Sequence, residues 1–254
     1  MMINKVSAIY FSPTGNSKKT ACAMAEAVAK RNGISKAEEI DFTCVPSNEE
    51  FDAHDFVIFA VPVYAGRVPN VARFRLKNFM GKDTPCVIAA SYGNREFDDA
   101  LLEMADILSE QGFVIKGAAG VIGRHTYGEI QVGRPNDDDL AECRQFALMA
   151  CENDKIWPEF DIPGNRPYRE GMSKGSHHPT SNDSCIKCGL CARACPVQAM
   201  DEDCETVNDN CISCFRCIRN CPVGGKEIVT ESYIKFAAEF TERLKERKEN
   251  RFFL

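Results

Sequence analysis

The sequence predicts an α/β chain: a doubly wound parallel sheet of five strands, then a small cysteine-rich unit. Three observations carry this reading. Up to about residue 150, short, continuously apolar runs alternate with helix-patterned segments, which is the mark of strands covered on both faces. The alternation stops near Asn153. Beyond residue 182, eight of the fourteen cysteines crowd into two short runs.

Residues 6–11 read as a buried strand, and an Ala-rich helix over 17–30 follows, stopped by Gly33. Residues 37–42 give a short second strand, and the β-rich run 56–61 a third, followed by a helix over 68–79. A strand over 86–91, a helix over 97–111, a strand over 113–122 and a helix over 137–151 complete the set. The expected order places the first switch point beside strand one. Residues 1–152 form this domain. In residues 153–182 Pro158, Pro163, Pro167 and Pro179, with three glycines, break any periodicity and predict a connector. Residues 183–230 hold the cysteine unit. In residues 231–254, Tyr233, Ala237, Phe240 and Leu244 fall at helical spacing and predict a terminal helix docked by packing.

With 44% hydrophobic and 27% charged residues in 254, a sizeable core is available and wholesale disorder is excluded. Thirty-one basic against thirty-seven acidic side chains, a net charge of −6, argue against a bulk footprint for nucleic acid. No apolar stretch approaches the roughly 20 residues that span a bilayer. The start lacks the basic region, apolar core and cleavage site of a secretory leader, so a cytoplasmic setting is expected. There, clustered cysteines point to metal or redox chemistry rather than disulfides.

Cys185, Cys188, Cys191 and Cys195, followed by Pro196, recur 26 residues later as Cys211, Cys214, Cys217 and Cys221, followed by Pro222. An iron–sulfur cubane needs four thiolates, the first three on one tight loop. The longer gap carries each fourth cysteine to the other cluster, and the proline ends the short helix there. Cys185, Cys188, Cys191 and Cys221 are therefore assigned to one [4Fe–4S] cluster, and Cys211, Cys214, Cys217 and Cys195 to a second. Structural zinc, whose ligand pairs usually come as separated units, and a disulfide knot are the weaker alternatives. Both runs, over about 45 residues, resemble the bacterial two-cluster ferredoxins. Cys204 fits no ligand position and reads as a free thiol; Cys22, Cys44, Cys86, Cys143 and Cys151 read as small buried hydrophobes.

Directly after the first strand stand Ser12, Pro13, Thr14, Gly15, Asn16 and Ser17. Hydroxyls, a permissive glycine and helix-N-terminal amides can wrap a phosphate without arginine. The segment is neither a P-loop nor a dinucleotide fingerprint. Gly117, Gly120 and Gly123 share a glycine spacing but lie inside the fifth strand, where no helix opens. The loop resembles the phosphate loop of flavodoxins, a resemblance extending over residues 3–150 in its short-chain form. It implies FMN, held at Ser12, Thr14, Gly15, Asn16 and Ser17. It also implies two ring loops at the carboxyl ends of strands three and four: Pro62, Tyr64, Ala65 and Gly66, and Ser91, Tyr92, Gly93, Asn94 and Arg95. Tyr64 and Tyr92 are the candidates for ring contact, and Gly66 and Gly93 for close backbone approach. Arg124 and His125 read as a solvated loop pair, His177 and His178 as part of the connector without metal spacing, and His54 as surface. Lys18 and Lys19 add positive potential near the phosphate.

The full order resembles a family of anaerobe flavodoxin–ferredoxin fusions, which implies FMN, two [4Fe–4S] clusters and redox partner proteins. FMN takes one or two electrons where a cluster passes one, so the leading expectation is an electron-transfer protein relaying between partners. The alternatives are a reductase of a small-molecule acceptor, its pocket roofed by Tyr168 or Arg169, and a binding module with structural metal. No catalytic residue is assigned. Asp201, Glu202, Asp203, Glu205 and Asp209 near the cysteine runs would hold cluster potentials low.

Overall fold

The computed structural model describes residues 2–172 and 174–254. In chain order they form β1 (Lys5–Tyr10), α1 (Asn16–Arg31), β2 (Glu38–Asp41), β3 (Glu49–Phe51), β4 (Asp55–Pro62), α2 (Asn70–Leu76), β5 (Phe79–Gly81), β6 (Thr84–Tyr92), α3 (Ala100–Glu110), β7 (Phe113–Ile122) and α4 (Asp137–Glu152). Then come β8 (Thr180–Ser181), α5 (Leu190–Arg193), α6 (Arg216–Arg219), β9 (Lys226–Glu227), α7 (Glu231–Arg243) and β10 (Arg251–Phe253).

The main sheet runs β10-β7-β6-β4-β1-β2, and every pairing except β10 with β7 is parallel. Its five parallel strands have the doubly wound order 2-1-3-4-5, with the switch point between β1 and β4. Strand alternation builds two cores. Ile9 faces one with Phe59, Phe79 and Leu101, while Val6, Ala8 and Tyr10 face the other with Met24, Val28 and Phe146. Because β4 and β6 lie between these layers, their residues are buried almost without break, which is why they read as solid apolar runs.

The structure departs from the sequence expectation at several elements. The helix expected over 68–79 is shorter, since β5 pairs with β3 in a separate two-stranded sheet. The C-terminal helix ends at Arg243, and the chain then returns as β10, a sixth strand antiparallel to β7. Phe252 stacks on Phe146 at 4.8 Å on one face, and Phe253 meets Phe97 at 6.2 Å on the other. This is strand alternation compressed into three residues, too short to read in advance.

The connector is not slack. Trp157 N–H donates to the Ile115 carbonyl (2.9 Å), and Phe160 and Ile162 are buried in the core beneath α3. The Asp99 carboxylate accepts the Asn165 and Arg169 amides at 2.9 and 2.7 Å, leading the chain to the carboxyl rim of the sheet. Among the described residues no helix is long and apolar enough to cross a membrane.

Candidate flavin and iron–sulfur sites

At the carboxyl ends of β4 and β6 two loops converge. Pro62 lies opposite Ser91 in the register, and Val63 N–H donates to the Ser91 carbonyl (3.0 Å). Tyr64 and Arg67 exchange backbone hydrogen bonds at 3.0 and 3.1 Å around Ala65 and Gly66, both at positive φ (51° and 83°). This is a tight turn that holds the Tyr64 ring beside the strand end. Tyr64, Ala65, Gly66, Tyr92, Gly93 and Arg95 line one cavity of about 440 Å³. Tyr92 is buried with its ring edge-on to Phe97 at 5.3 Å. The Ser91 hydroxyl is buried without a hydrogen-bond partner. The two glycines are required by protein neighbours: a Cβ at Gly93 would overlap the His125 ring, and one at Gly66 the Asp98 carboxylate. Asn94 is not brought to this cavity. It is fully buried, and its amide donates to the Leu244 and Glu246 carbonyls (2.8 and 2.6 Å), so it secures the chain after α7.

The cavity has a roof. Met172, Ser176 and His177 of the connector, Ser213 of the cysteine unit and Phe236 and Phe240 of α7 close it opposite the two loops. Tyr168 and Arg169, expected there, stand aside. Tyr168 stacks under the Arg67 guanidinium (4.5 Å), and Arg169 pairs with Asp98 (2.6 Å). His125 is not a solvated residue: its ring packs edge-on against Phe240 at 4.9 Å, and its Nδ1 accepts the Tyr127 N–H (2.8 Å). Burial pulls His125 down to about 4, so the ring is neutral at pH 7 with its proton on Nε2. Burial likewise pushes Tyr127 up to about 12 and Tyr64 well above the usual phenol range.

His125 also lines a second cavity, of about 230 Å³, with Thr14, Asn16, Lys19, Arg124, Arg134 and Arg219. The His125 side chain borders both spaces, the first lined with aromatics and the second with cationic side chains. Gly15, at φ 95°, turns the chain into α1, and Asn16 donates to the Arg124 carbonyl (2.9 Å). Ser12 faces inward, its hydroxyl accepting the Lys18 N–H (3.0 Å), and Ser17 is buried. Thr14 and Asn16 thus reach the cavity, while Ser12 fixes the first turn of the helix. Arginine, unneeded in the sequence reading, is present in number, and the Arg124 Nε is buried without a partner. An aromatic cleft beside a cationic space, where the Arg124 Nε is buried without a partner, fits a flavin with an anionic tail.

In the cysteine unit, Cys195, Cys211, Cys214 and Cys217 line a common space, together with Cys191. Burial first, and the neighbouring Cys217, Cys195 and Cys211 next, push the Cys214 thiol up. Elsewhere the Cys221 sulfur accepts the Gly225 N–H (3.1 Å), and a Cβ at Gly225 would stand 2.9 Å from the Cys185 Cα. Cys195 therefore lies with the second run, and Gly225 stands between Cys221 and Cys185. Cys214 is buried and Cys188 exposed, while the other six cysteines of the two runs are partly buried. Cys204 is buried beside Cys191, and Cys86 and Cys143 are fully buried in the flavin domain.

Two family models, each described as a 4Fe-4S binding domain, match residues 179–201 and 208–224. With the strand order above, they settle the architecture. The chain joins a flavodoxin-like domain to a ferredoxin-type 4Fe-4S region. Three solved structures are similar to the larger part of this fusion. A flavodoxin from the domain Archaea is 18% identical over 59% of this chain and 97% of its own, with a TM-score of 0.43. The metal-soaked Flv1 flavodiiron core from Synechocystis sp. PCC6803 is 21% identical over 59% of this chain and 36% of its own, at 0.42. A flavodoxin of Streptococcus pneumonia TIGR4 is 17% identical over 58% and 98%, at 0.42. No curated protein matches.

Three groups escaped the sequence reading: the roof of α7, His177, and the arginines at the phosphate end. Tyr233, Ala237, Phe240 and Leu244 were visible as a helical stripe, which left out Phe236, and a stripe does not say what it covers. Arg124 and Arg219 lie far apart in sequence and carried no shared signal.

Proposed function

We propose that the fusion binds FMN across the two cavities bordered by His125, and two [4Fe–4S] clusters. The inner cluster is held by Cys195, Cys211, Cys214 and Cys217, and the outer by Cys185, Cys188, Cys191 and Cys221. When bound, the clusters would supply one-electron transfer between the exposed side of the cysteine unit at Cys188 and the ring cavity. The observation that carries this is Ser213. It lies between two inner ligands in sequence and forms part of the wall of the ring cavity, so nothing but that wall separates the two sites. Exposed Cys188 puts the outer cluster where partner proteins can reach it, in a cytoplasm that keeps free thiols reduced.

When bound, FMN exchanges one or two electrons while each cluster passes one. The chain's own residues set the conditions. Tyr64 and Tyr92 stand at the ring end, and the protonated Tyr64 and Tyr127 phenols keep negative charge away from it. His125 holds a proton at Nε2. Phe236, Phe240 and Met172 exclude water and keep a docking protein off the flavin edge.

That roof favours a second reading, in which a small acceptor enters the cavity and is reduced there with electrons supplied through the clusters. Protein purified without oxygen should carry about eight irons, matching sulfide and one FMN per chain. About one iron or fewer after reconstitution overturns the cluster reading. Pre-reduced protein is then mixed with small acceptors and with redox proteins. Flavin reoxidation by one small molecule alone supports the reductase; reoxidation by proteins alone supports the relay.

A further inference from the structure

We infer that the cluster segment completes the flavin-phosphate site: Arg219 of α6, with Arg124, holds the phosphate monoester of FMN. This rests on the FMN reading above. The cationic cavity has four basic side chains, but they are not equally free. Arg134 is committed, its Nε (2.9 Å) and one amino group held by the Asp139 carboxylate and the other donating to the Lys248 carbonyl (2.7 Å). Lys19, on the surface of α1, and Arg219 are both exposed, and both line the cavity. Arg124 gives one amino group to Glu129 at 2.9 Å and keeps its Nε buried and unpaired. Arg219 makes no ion pair among the described residues. Arg124 and Arg219 share this one space, and the carboxylate bound there, Glu129 on Arg124, is itself exposed. A fold that brings like charges together beside Thr14, Asn16 and the start of a sixteen-residue helix is arranged for an anion between them.

A second contact fixes Arg219 there. One turn earlier on the same helix, Arg216 donates to the Ser12 and Pro13 carbonyls at 3.2 and 3.0 Å. The cluster segment therefore grips the phosphate loop from outside with Arg216 and enters the cavity with Arg219. Both arginines flank Cys217, a proposed inner-cluster ligand, so the flavin phosphate and the inner cluster share one short helix.

The test uses the full chain with its iron–sulfur content intact and its flavin removed, titrated with FMN and with riboflavin. Wild type should prefer FMN. Arg219→Gln should weaken FMN about tenfold or more while changing riboflavin less than about twofold, and Arg219→Lys should regain part of the loss. Reading each variant as an FMN-to-riboflavin ratio cancels any general damage to the fold. If wild type prefers FMN and Arg219→Gln keeps that preference, the role of Arg219 is overturned while the FMN reading stands. If wild type binds riboflavin as tightly as FMN, the phosphate end itself is misread and both fail.

Discussion

Glu103 sits on α3 with 2% of its side chain exposed. It is held by Arg67 through two bonds at 2.8 and 2.6 Å, and it accepts the Val68 N–H at 3.0 Å. Arg73 completes the surround at 3.6 Å. The carboxylate pins the turn that presents Tyr64. Glu103→Ala leaves Arg67 buried without its partner and should cost about 3 kcal/mol in urea unfolding. It should also weaken flavin binding, because the ring loop loses its anchor. In the sequence Glu103 was one acid among many on an amphipathic helix; its role depends on a loop thirty-five residues earlier. His125 gives a pH signature. Its folded pKa lies near 4 against an ordinary 6.5, so the unfolded chain binds a proton first as pH falls. Stability is therefore lost progressively from about pH 6.5 toward about 4, and His177, also lowered by burial, adds in the same direction. Urea midpoints measured across that range should fall in wild type and fall less steeply in His125→Phe. An unchanged slope would remove His125 from the account.

Among the elements, those fixed by local pattern were legible and those fixed by distant partners were not. The runs at residues 56–61 and 113–122 announced strands because both of their faces are buried, and β4 and β7 follow them closely. The tail from Leu244 onward has no such pattern. Asn94 fixes this chain by donating to the Leu244 and Glu246 carbonyls beyond α7 and accepting the Lys248 N–H (3.3 Å), and the Asn250 side chain accepts the Ile122 N–H (2.9 Å). Asn94→Ala should cost about 2 kcal/mol, the penalty for buried backbone groups left without partners. It should also open residues 245–250 to limited proteolysis while α4 stays protected. Gly93→Ala tests the fit between the second ring loop and the residues after β7. The new methyl must displace His125, so flavin affinity should drop with little change in iron content.

Across the whole molecule, side-chain hydrogen bonds tie the cluster region to the α/β domain. Arg75 bonds the Phe42 carbonyl (3.1 Å), the Thr43 carbonyl and, from its other amino group, the Pro196 carbonyl (2.8 Å). The Cys44 thiol donates to the Ala194 carbonyl at 3.3 Å, and Arg216 holds the phosphate loop. Arg75→Ala should leave iron and flavin content unchanged but slow electron exchange between flavin and clusters, read by stopped-flow absorbance. The cofactor classes were open to sequence reading because thiolate spacing is short-range chemistry written in one stretch of chain. The docking was not, because Arg75 and Pro196 meet only through the fold.

The return of β10 to the flavin sheet changes what kind of attachment this is. The chain leaves that sheet through the connector, forms the cluster region, and re-enters the same sheet beside β7. The iron–sulfur region is thus an insertion anchored at both ends, not a pendant on a leash. A pendant explores a volume set by its tether, and its encounters with a neighbour rise and fall with that volume. Here the search has been removed, so the rate of internal electron exchange should be independent of protein concentration and nearly indifferent to solvent viscosity.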